Sequence, residues 1–173
     1  LSAPASNYLI KFRISMTTTS KKIPMVKLTQ THKRFGDTTV LEDINFEAEK
    51  GEFISLVGPS GCGKSTLLKI IAGLYAASEG EVIVDGMNPK NAREEMAFIF
   101  QEANLLPWKR VQQNTELPLK LRGESKERRI ETAKKMLELV NLSHALDRFP
   151  WQLSGGMRMR VSIARTLTLA PRV

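Results

Sequence analysis

The sequence feature that most constrains the fold is a glycine-rich stretch between two apolar segments. It fits the phosphate-loop pattern, a glycine and four variable residues followed by Gly-Lys-Ser or Gly-Lys-Thr. Its members are Gly58, Pro59, Ser60, Gly61, Cys62, Gly63, Lys64, Ser65 and Thr66. Before it, residues 52–57 form a short apolar run that predicts a buried parallel strand. After it, apolar residues recur at helical spacing as far as Leu74.

This order of strand, loop and helix predicts a site for the phosphates of a nucleotide. Glycine permits the loop to curl so that successive backbone N–H groups converge on one anion, and the following helix adds its free N-terminal donors. Lys64 would reach the β- and γ-phosphates, and the hydroxyl of Ser65 would bind magnesium. A glycine-rich turn without a ligand is the alternative, which the presence of the Lys-Ser pair disfavours.

The net charge of +8 would suggest a nucleic-acid partner if it lay on one face of the folded body. Residues 1–36 hold seven basic residues and no acidic residue, whereas residues 37–173 hold 19 basic and 18 acidic residues. The excess is therefore an N-terminal feature, and it argues against a nucleic-acid partner. A length of 173 residues suits one domain with a real core, or most of a larger one.

Cysteine content and hydropathy favour a reducing compartment outside the bilayer. Cys62 is the only cysteine, so no internal disulfide is possible. No apolar run approaches the ~18 residues needed to span a bilayer, and residues 1–15 make a poor secretory signal. The chain begins with Leu1, whereas Met16 precedes a polar run. Met16 is thus a candidate start, with residues 1–15 as upstream read-through; a genuine disordered extension is the alternative.

Strands are predicted on both sides of the phosphate loop, and two of their ends carry candidate site residues. Strands at 26–31 and 40–48 flank a turn at Gly36-Asp37, and further strands are expected at 81–84 and 96–100. Phe35 lies in the first connection, where its ring could stack on a nucleobase or belong to the core. Gln101 follows the last strand, where side chains of open α/β sheets line the ligand crevice. Its amide could ligate magnesium, position water, or merely cap the strand.

The chain after Gln101 is predicted to be helical. Residues 111–121 form a helix that Pro118 bends or ends. Residues 127–140 form a second helix with charged side chains on one face, namely Glu127, Arg128, Lys134 and Lys135. Its other face is apolar and consists of Ile130, Ala133, Met136, Leu137 and Val140.

A third helix is expected after the sequence Leu-Ser-Gly-Gly that begins at Leu153. Ser154 is a good N-cap, and Gly155 and Gly156 leave backbone donors uncovered at the helix start. Because a capping turn needs at most one glycine, the second glycine favours the approach of a ligand. This turn is a second candidate anion site.

A phosphate loop, a glutamine after a strand and then Leu-Ser-Gly-Gly, in this order, resemble the nucleotide-binding subunit of ATP-binding cassette (ABC) transporters. The resemblance covers residues 27–173. It implies that Phe35 stacks on adenine, that Gln101 is the Q-loop residue, and that Ser154 and Gly156 are the signature contacts to ATP. Residues 101–108 and 117–123 look most like the importers for nitrate, sulfonate, taurine and related solutes.

The chain departs from that family in two ways. Met159 stands where this branch usually has glutamine and Trp151 where it often has histidine, although neither change removes a phosphate contact. In the family, residues 170–173 would lead into an apolar strand that ends in Asp-Glu, with a switch histidine later. Neither His32 nor His144 lies in that context, and both are expected to be surface residues. The resemblance therefore implies a chain truncated before the Walker B strand.

The resemblance implies an α/β fold, namely a phosphate-loop NTPase core with a mixed sheet and N-terminal antiparallel strands, plus a helical subdomain, without the C-terminal third. We expect residues 1–24 to be a disordered or non-native extension. The nucleotide-binding core would span 25–103, the helical subdomain 104–155, and the signature helix 156–173.

The function implied is that of the ATP-binding, energy-coupling subunit of a solute importer, an ATPase that uses Mg²⁺. Its partners would be transmembrane permease subunits, a second copy of the ATPase subunit and, indirectly, a periplasmic or surface solute-binding protein. It would lie peripherally on the cytoplasmic face of the inner membrane. Alternatives are a cassette protein that acts on nucleic acid or ribosomes, and a catalytically inactive fragment that only binds nucleotide.

Overall fold

The structure, a computed structural model, describes residues 10–14 and 24–173. It divides into two units, Leu1–Glu94 and Glu95–Val173, each with its own packing. From the sequence, this division was expected after residue 103, with the signature helix (156–173) as a separate segment. Each unit is described separately below.

The first unit is built on a three-stranded antiparallel sheet. Its members are β2 (Val26–Phe35), β3 (Thr38–Ala48) and β5 (Glu79–Val84), in the order β3-β2-β5. The turn at Gly36-Asp37 is confirmed, since Phe35 pairs directly with Thr38 across it. Apolar side chains that alternate along the strands form the core, as Leu28, Leu41 and Val84 are almost fully buried.

Helix α1 (Lys64–Ile71) packs against this sheet through its apolar stripe. Leu67 and Ile70 are each 1% exposed, whereas Leu68 on the other side of the helix is 47% exposed. Of the apolar residues that recur after the phosphate loop, Leu67 and Ile70 therefore form the buried face, whereas Leu68 and Leu74 are exposed. The helix ends at Ile71, and the chain reverses at Gly73, which has a left-handed φ of 67°.

The strand before the phosphate loop differs from the expectation of a buried parallel strand. β4 (Phe53–Val57) pairs antiparallel with β1 (Ile10–Ile14), from Ile10 opposite Val57 to Ile14 opposite Phe53. None of its residues is buried, and Phe53 is 71% exposed. A strand is buried only when other layers cover both of its faces, and a two-stranded sheet does not provide them.

β1 lies within residues 1–24, which the sequence assigned to a disordered or non-native extension. Residues 10–14 are instead a strand with a continuous register on β4. Residues 1–9 and 15–23, with Met16 among them, lie outside the described residues.

The strand expected at residues 96–100 is not formed, and Gln101 consequently does not follow a strand. Residues 96–100 are irregular, and the Ala97 amide donates to the Val173 carbonyl at 2.9 Å. Among the strands that the structure describes, none pairs with this segment. Apolar residues alone do not make a strand, because the backbone also needs a neighbouring ladder.

The second unit is helical. It contains α2 (Val111–Thr115), α3 (Leu117–Leu121), α4 (Lys126–Leu139) and α5 (Gly155–Leu167). Pro118 lies in the first turn of α3, and Glu116 separates α3 from α2, so the predicted interruption is confirmed. Ala133 and Leu137 of α4 are fully buried, which confirms its predicted apolar face.

One apolar core holds these helices together. It is formed by Val111, Leu137, Leu142, Ala145, Leu153, Val161 and Ala164. Val161 and Ala164 belong to α5, so this helix packs within the helical unit rather than forming a segment of its own. Across the described residues, no helix has the length and apolar character needed to cross a bilayer.

Candidate functional site

The phosphate loop connects β4 to α1, and the side chain of Lys64 folds back over it. Lys64 Nζ donates to the carbonyl oxygens of Gly58 at 2.8 Å and Pro59 at 2.7 Å, and it lies 3.4 Å from Cys62 Sγ. The positive charge is thus fixed inside the curve of the loop. Carbonyl oxygens bind the ammonium without neutralising it, so the loop keeps a net positive charge for an anion.

The tightest point of the loop is Gly63, directly before α1. Its φ is 95°, which L-residues rarely adopt. A Cβ atom here would lie 2.6 Å from Leu41 Cδ2 and 3.1 Å from the Val40 carbonyl oxygen. Gly61 also has a positive φ of 83°, but a Cβ there would meet open space. Neighbouring atoms of β3 therefore require glycine at residue 63, whereas only the backbone conformation requires it at residue 61.

The start of α1 offers unpaired donors. Its first helical hydrogen bond runs from the Leu67 amide to the Gly63 carbonyl at 2.8 Å, so the amides of residues 64–66 precede the helical ladder. The first turn of α1 contains no acidic residue. The hydroxyl-bearing Ser65 is exposed there. A loop with a fixed ammonium, free amides and no carboxylate has the chemistry that a phosphate group requires.

Phe35 is the last residue of β2, and its ring is 45% exposed. Its register partner, Thr38, precedes Val40 by two residues, or ~7 Å along a strand. The Val40 carbonyl is the group that faces Gly63. The sheet therefore brings Phe35 to the neighbourhood of the phosphate loop, an arrangement that spacing in the sequence could only suggest.

Cys62, His32 and His144 differ in their burial and contacts. Cys62 is 6% exposed beneath the loop. The Asp43 amide donates to His32 Nδ1 at 3.3 Å, which ties β2 to β3. His144 is exposed in the short 3₁₀ helix Ser143–Ala145. Across residues 10–14 and 24–173, no group of three or more His, Cys, Asp or Glu side chains could hold a metal ion.

The second candidate anion site lies at the start of α5. The Met157 amide donates to Ser154 Oγ at 3.3 Å, so Ser154 is the N-cap, as predicted. A Cβ at Gly156 would meet nothing within 4 Å, and a Cβ at Gly155 would only reach Arg158 Nη2 at 3.9 Å. Neither glycine has a positive φ. The fold of this chain therefore does not require either glycine.

Gln101 lies exposed in a bend of the second unit, near a segment anchored by Arg165 of α5. Arg165 Nη1 donates to the Asn104 carbonyl at 2.9 Å, and Nη2 donates to the Ala103 carbonyl at 3.0 Å. Burial lowers the pKa of the Arg165 guanidinium from its ordinary value, although guanidinium stays charged at neutral pH. The segment after Gln101 is thus fastened to the signature helix.

Asn114 organises the next loop. Its side chain is fully buried, and it accepts from the Leu106 amide at 2.7 Å and donates to the Leu106 carbonyl at 3.1 Å. It also donates to the carbonyls of Lys109 at 2.9 Å and Arg110 at 3.2 Å. The loop that Asn114 holds displays Trp108, which is 70% exposed.

The roles of Arg165 and Asn114 were not predicted from the sequence. The one available signal was that Asn114 lies three residues after Val111, on the same helix face, where a buried amide must find hydrogen-bond partners. Arg165 gave no signal, since an arginine on a helix is ordinarily solvated.

A comparison with protein-family models decides the family. The model described as ABC transporter matches residues 41–173, which include the phosphate loop, Gln101 and the Leu-Ser-Gly-Gly turn. The chain belongs to the ABC transporter family. The predicted resemblance is confirmed.

Curated relatives include import ATP-binding proteins that are named for taurine and for aliphatic sulfonates. The chain is 42% identical over 149 residues to the taurine import ATP-binding protein of Escherichia coli strain K12, covering 86% of this chain and 58% of the relative. It is 45% identical over 141 residues to an aliphatic sulfonates import ATP-binding protein of Bacillus anthracis, covering 82% and 55%. An uncharacterized ABC transporter ATP-binding protein of Methanocaldococcus jannaschii is 47% identical over 133 residues, covering 77% and 50%. The chain thus spans about half the length of these relatives.

Solved ABC structures confirm the fold class. A dimeric post-hydrolysis state of the ATP-binding cassette MJ0796 bound to ADP and Pi has a TM-score of 0.75 and 36% identity, covering 85% of this chain and 71% of that one. The cbiO1 protein of Clostridium perfringens has the same TM-score at 23% identity, covering 86% and 62%. The chain therefore has the α/β fold of an ABC cassette, with antiparallel strands and helices.

Proposed function

We propose that this chain is the ATP-binding portion of the energy-coupling subunit of an ABC importer for a taurine-like, sulfonate-like or nitrate-like solute. The observation that carries the proposal is the phosphate loop, with the Lys64 ammonium held 2.7 Å from the Pro59 carbonyl in front of the free amides of α1. The import functions named for the taurine and sulfonate relatives support the class of solute.

The site residues have separate tasks in nucleotide binding. The loop amides and Lys64 bind the β- and γ-phosphates, and Gly61 leaves open space for them. The Ser65 hydroxyl would be one ligand for Mg²⁺. Mg²⁺, when bound with ATP, would neutralise charge on the phosphate oxygens. The exposed ring of Phe35 would stack on adenine.

The signature turn of one copy would contact the ATP held by a second copy. This explains why Gly155 and Gly156 occur where the chain itself has room for a side chain. Glycine would be needed at these positions because a ligand or partner that approaches the backbone closely leaves no room for a Cβ atom. The dimeric state solved for the related MJ0796 cassette supports such pairing.

The loop that presents Trp108 would be the contact surface for the permease subunits. Trp108 is 70% exposed, yet Asn114 binds the backbone on both sides of it, at Leu106 and Lys109, so the ring is carried by a well-supported loop. Aromatic side chains on rigid loops are typical anchors of protein interfaces. A solute-binding protein outside the membrane would act only through the permease, and this chain would lie on the cytoplasmic face.

Residues 1–173 by themselves would bind ATP without sustaining its hydrolysis. Phosphoryl transfer needs a group that orients the attacking water and a further group that holds the metal from its other side. The family supplies both from an Asp-Glu pair after an apolar strand, and no such pair occurs in residues 1–173. Background turnover is expected from the chain alone, and steady Mg²⁺-dependent turnover that Lys64→Ala abolishes would contradict this.

The test of nucleotide binding compares Lys64→Ala with Lys50→Ala, a change at an exposed lysine outside the loop. Because a hydrogen bond to a charged group contributes ~1.5–3 kcal/mol, Lys64→Ala should weaken MgATP binding by at least about tenfold. Lys50→Ala should bind as the parent does. Isothermal titration calorimetry measures both affinities. An affinity of Lys64→Ala within about threefold of the parent would contradict the assignment of the phosphate loop.

A further inference from the structure

The ring of Phe35 has two neighbours that no motif singles out. Tyr75 lies edge-on to it, with ring centroids 5.5 Å apart and planes inclined by 75°. Lys33 Nζ lies over the Phe35 ring, 4.8 Å from its centroid, and 5.9 Å from the Tyr75 centroid. All three distances are within the range for favourable aromatic and cation–π contacts.

Tyr75 is held in place by the end of α1, the helix that begins in the phosphate loop. The Tyr75 amide donates to the Lys69 carbonyl at 3.1 Å, and Lys69 Nζ lies 5.2 Å from the Tyr75 centroid. The reversal at Gly73 is tightly packed, since a Cβ there would lie 2.8 Å from the Pro89 carbonyl oxygen. The backbone of Tyr75 is therefore fixed relative to α1.

The segment after Tyr75 is fastened to the end of β2, the strand that carries Phe35. Lys33 Nζ donates to the Ala76 carbonyl at 2.8 Å. The Ser78 amide donates to the His32 carbonyl at 2.8 Å, and the Arg34 amide donates to Ser78 Oγ at 3.0 Å. These bonds connect the helix that follows the phosphate loop with the strand that presents Phe35.

Phe35 itself needs this support. It is the last residue before a two-residue turn, and with 45% of its surface exposed the core does not fix its ring. A freely rotating ring would lose conformational entropy when a base stacked on it. A ring fixed beforehand binds the same base more tightly, because that cost has been met during folding.

We propose that Tyr75 is a positioning residue for the nucleobase: it fixes the ring of Phe35, together with Lys33, so that a base of an ATP-like nucleotide stacks on the prearranged ring. The inference rests on the proposed nucleotide-binding function and deepens it. Tyr75 acts through Phe35 and not through the phosphates. Its removal should therefore weaken only the part of the affinity that depends on the base.

The experiment compares MgATP with magnesium tripolyphosphate, a ligand that has the phosphates but no base. Isothermal titration calorimetry would be run on the parent chain, Phe35→Ala, Tyr75→Ala, Tyr75→Leu and Tyr75→Phe. Edge-on aromatic pairs contribute ~0.5–1.5 kcal/mol, so Tyr75→Ala and Tyr75→Leu should weaken MgATP binding by roughly two- to tenfold. Tyr75→Phe keeps the ring and should bind MgATP as the parent does.

Tripolyphosphate affinity should be the same in the parent and in all four variants. The double variant Tyr75→Leu/Phe35→Ala should bind MgATP no more weakly than Phe35→Ala, since Tyr75 acts through that ring. Thermal unfolding of each variant shows that it remains folded, and Tyr75→Leu preserves apolar bulk for this purpose.

Three results would overturn the proposal, and they differ from a failure of the proposed function. Unchanged MgATP affinity in Tyr75→Leu would exclude a positioning role. Equal loss of MgATP and tripolyphosphate affinity would show a general structural role instead. Additive losses in the double variant would show that Tyr75 acts independently of Phe35. If the parent chain bound neither ligand, the nucleotide-binding function itself would fall.

Discussion

Asn114 and Leu106 are joined by a reciprocal pair of hydrogen bonds. The Leu106 amide donates to Asn114 Oδ1 at 2.7 Å, and Asn114 Nδ2 donates to the Leu106 carbonyl at 3.1 Å. The side chain of Asn114 thereby satisfies both the amide and the carbonyl of Leu106 in a loop that has no regular backbone pairing. The exposed Trp108 owes its placement to this buried amide.

We expect Asn114→Ala to destabilise the chain by about 2–3 kcal/mol, because partly buried backbone groups lose their partners. Asn114→Asp should be at least as harmful, since it places a carboxylate against the carbonyls of Lys109 and Arg110. Urea unfolding measures both free energies. Lys120→Ala, at an exposed position of α3, is the control. A loss below about 0.5 kcal/mol in Asn114→Ala would contradict the role assigned to this side chain.

Gly63 and Gly61 provide a matched pair in the phosphate loop. Gly61→Ala should cost about 1–2 kcal/mol through its positive φ alone. Gly63→Ala should cost at least ~1 kcal/mol more, because its Cβ also overlaps Leu41. Denaturant unfolding of the two variants gives the difference directly. Equal losses would mean that β3 does not constrain the loop.

The thiol of Cys62 should report on nucleotide binding. Since it is 6% exposed, maleimide should modify it at least about tenfold more slowly in the folded chain than in urea. MgATP should slow the modification further, and this protection should vanish in Lys64→Ala. Mass spectrometry follows the rates. Equal rates with and without MgATP in the parent chain would argue that phosphate does not occupy the loop.

Arg165 and Arg160 lie on the same helix and bind different carbonyls. Arg165 anchors residues 103 and 104, whereas Arg160 Nη1 donates to the Val140 carbonyl at 3.0 Å. Arg165→Ala should therefore speed amide exchange in residues 101–106, and Arg160→Ala should speed it only around the end of α4. Hydrogen exchange with mass spectrometry locates the effects. The same pattern in both variants would refute the separate anchoring of the Gln101 segment.

Changes at the Trp108 loop should uncouple transport from nucleotide binding in the complete transporter. Trp108→Ala and Lys109→Glu are expected to reduce solute uptake by at least about tenfold while MgATP affinity stays within about threefold of the parent. Leu139→Ala, at another exposed apolar residue, is the control. Normal uptake with reduced nucleotide affinity would show that this loop serves the nucleotide site instead.

The two short motifs were predictable because their chemistry is local. The curl of the glycine-rich phosphate loop and the N-cap at Ser154 each depend on residues within a few positions in the chain. The order of these motifs also predicted the family and the α/β fold. The apolar face of α4 followed from its spacing alone, since a helix places every third or fourth residue on the same side.

Strand pairing and the contacts that hold the Phe35 ring were decided by the tertiary structure, because they join residues far apart in the chain. An apolar run shows that a strand is possible, but not which edge it finds; thus β4 pairs with β1, and residues 96–100 form no strand. The sequence likewise placed an aromatic at Phe35 without showing that Tyr75 and Lys33 hold it. Local backbone conformation depends on neighbouring residues, whereas a pairing between strands or a contact between rings exists only once distant segments have packed together.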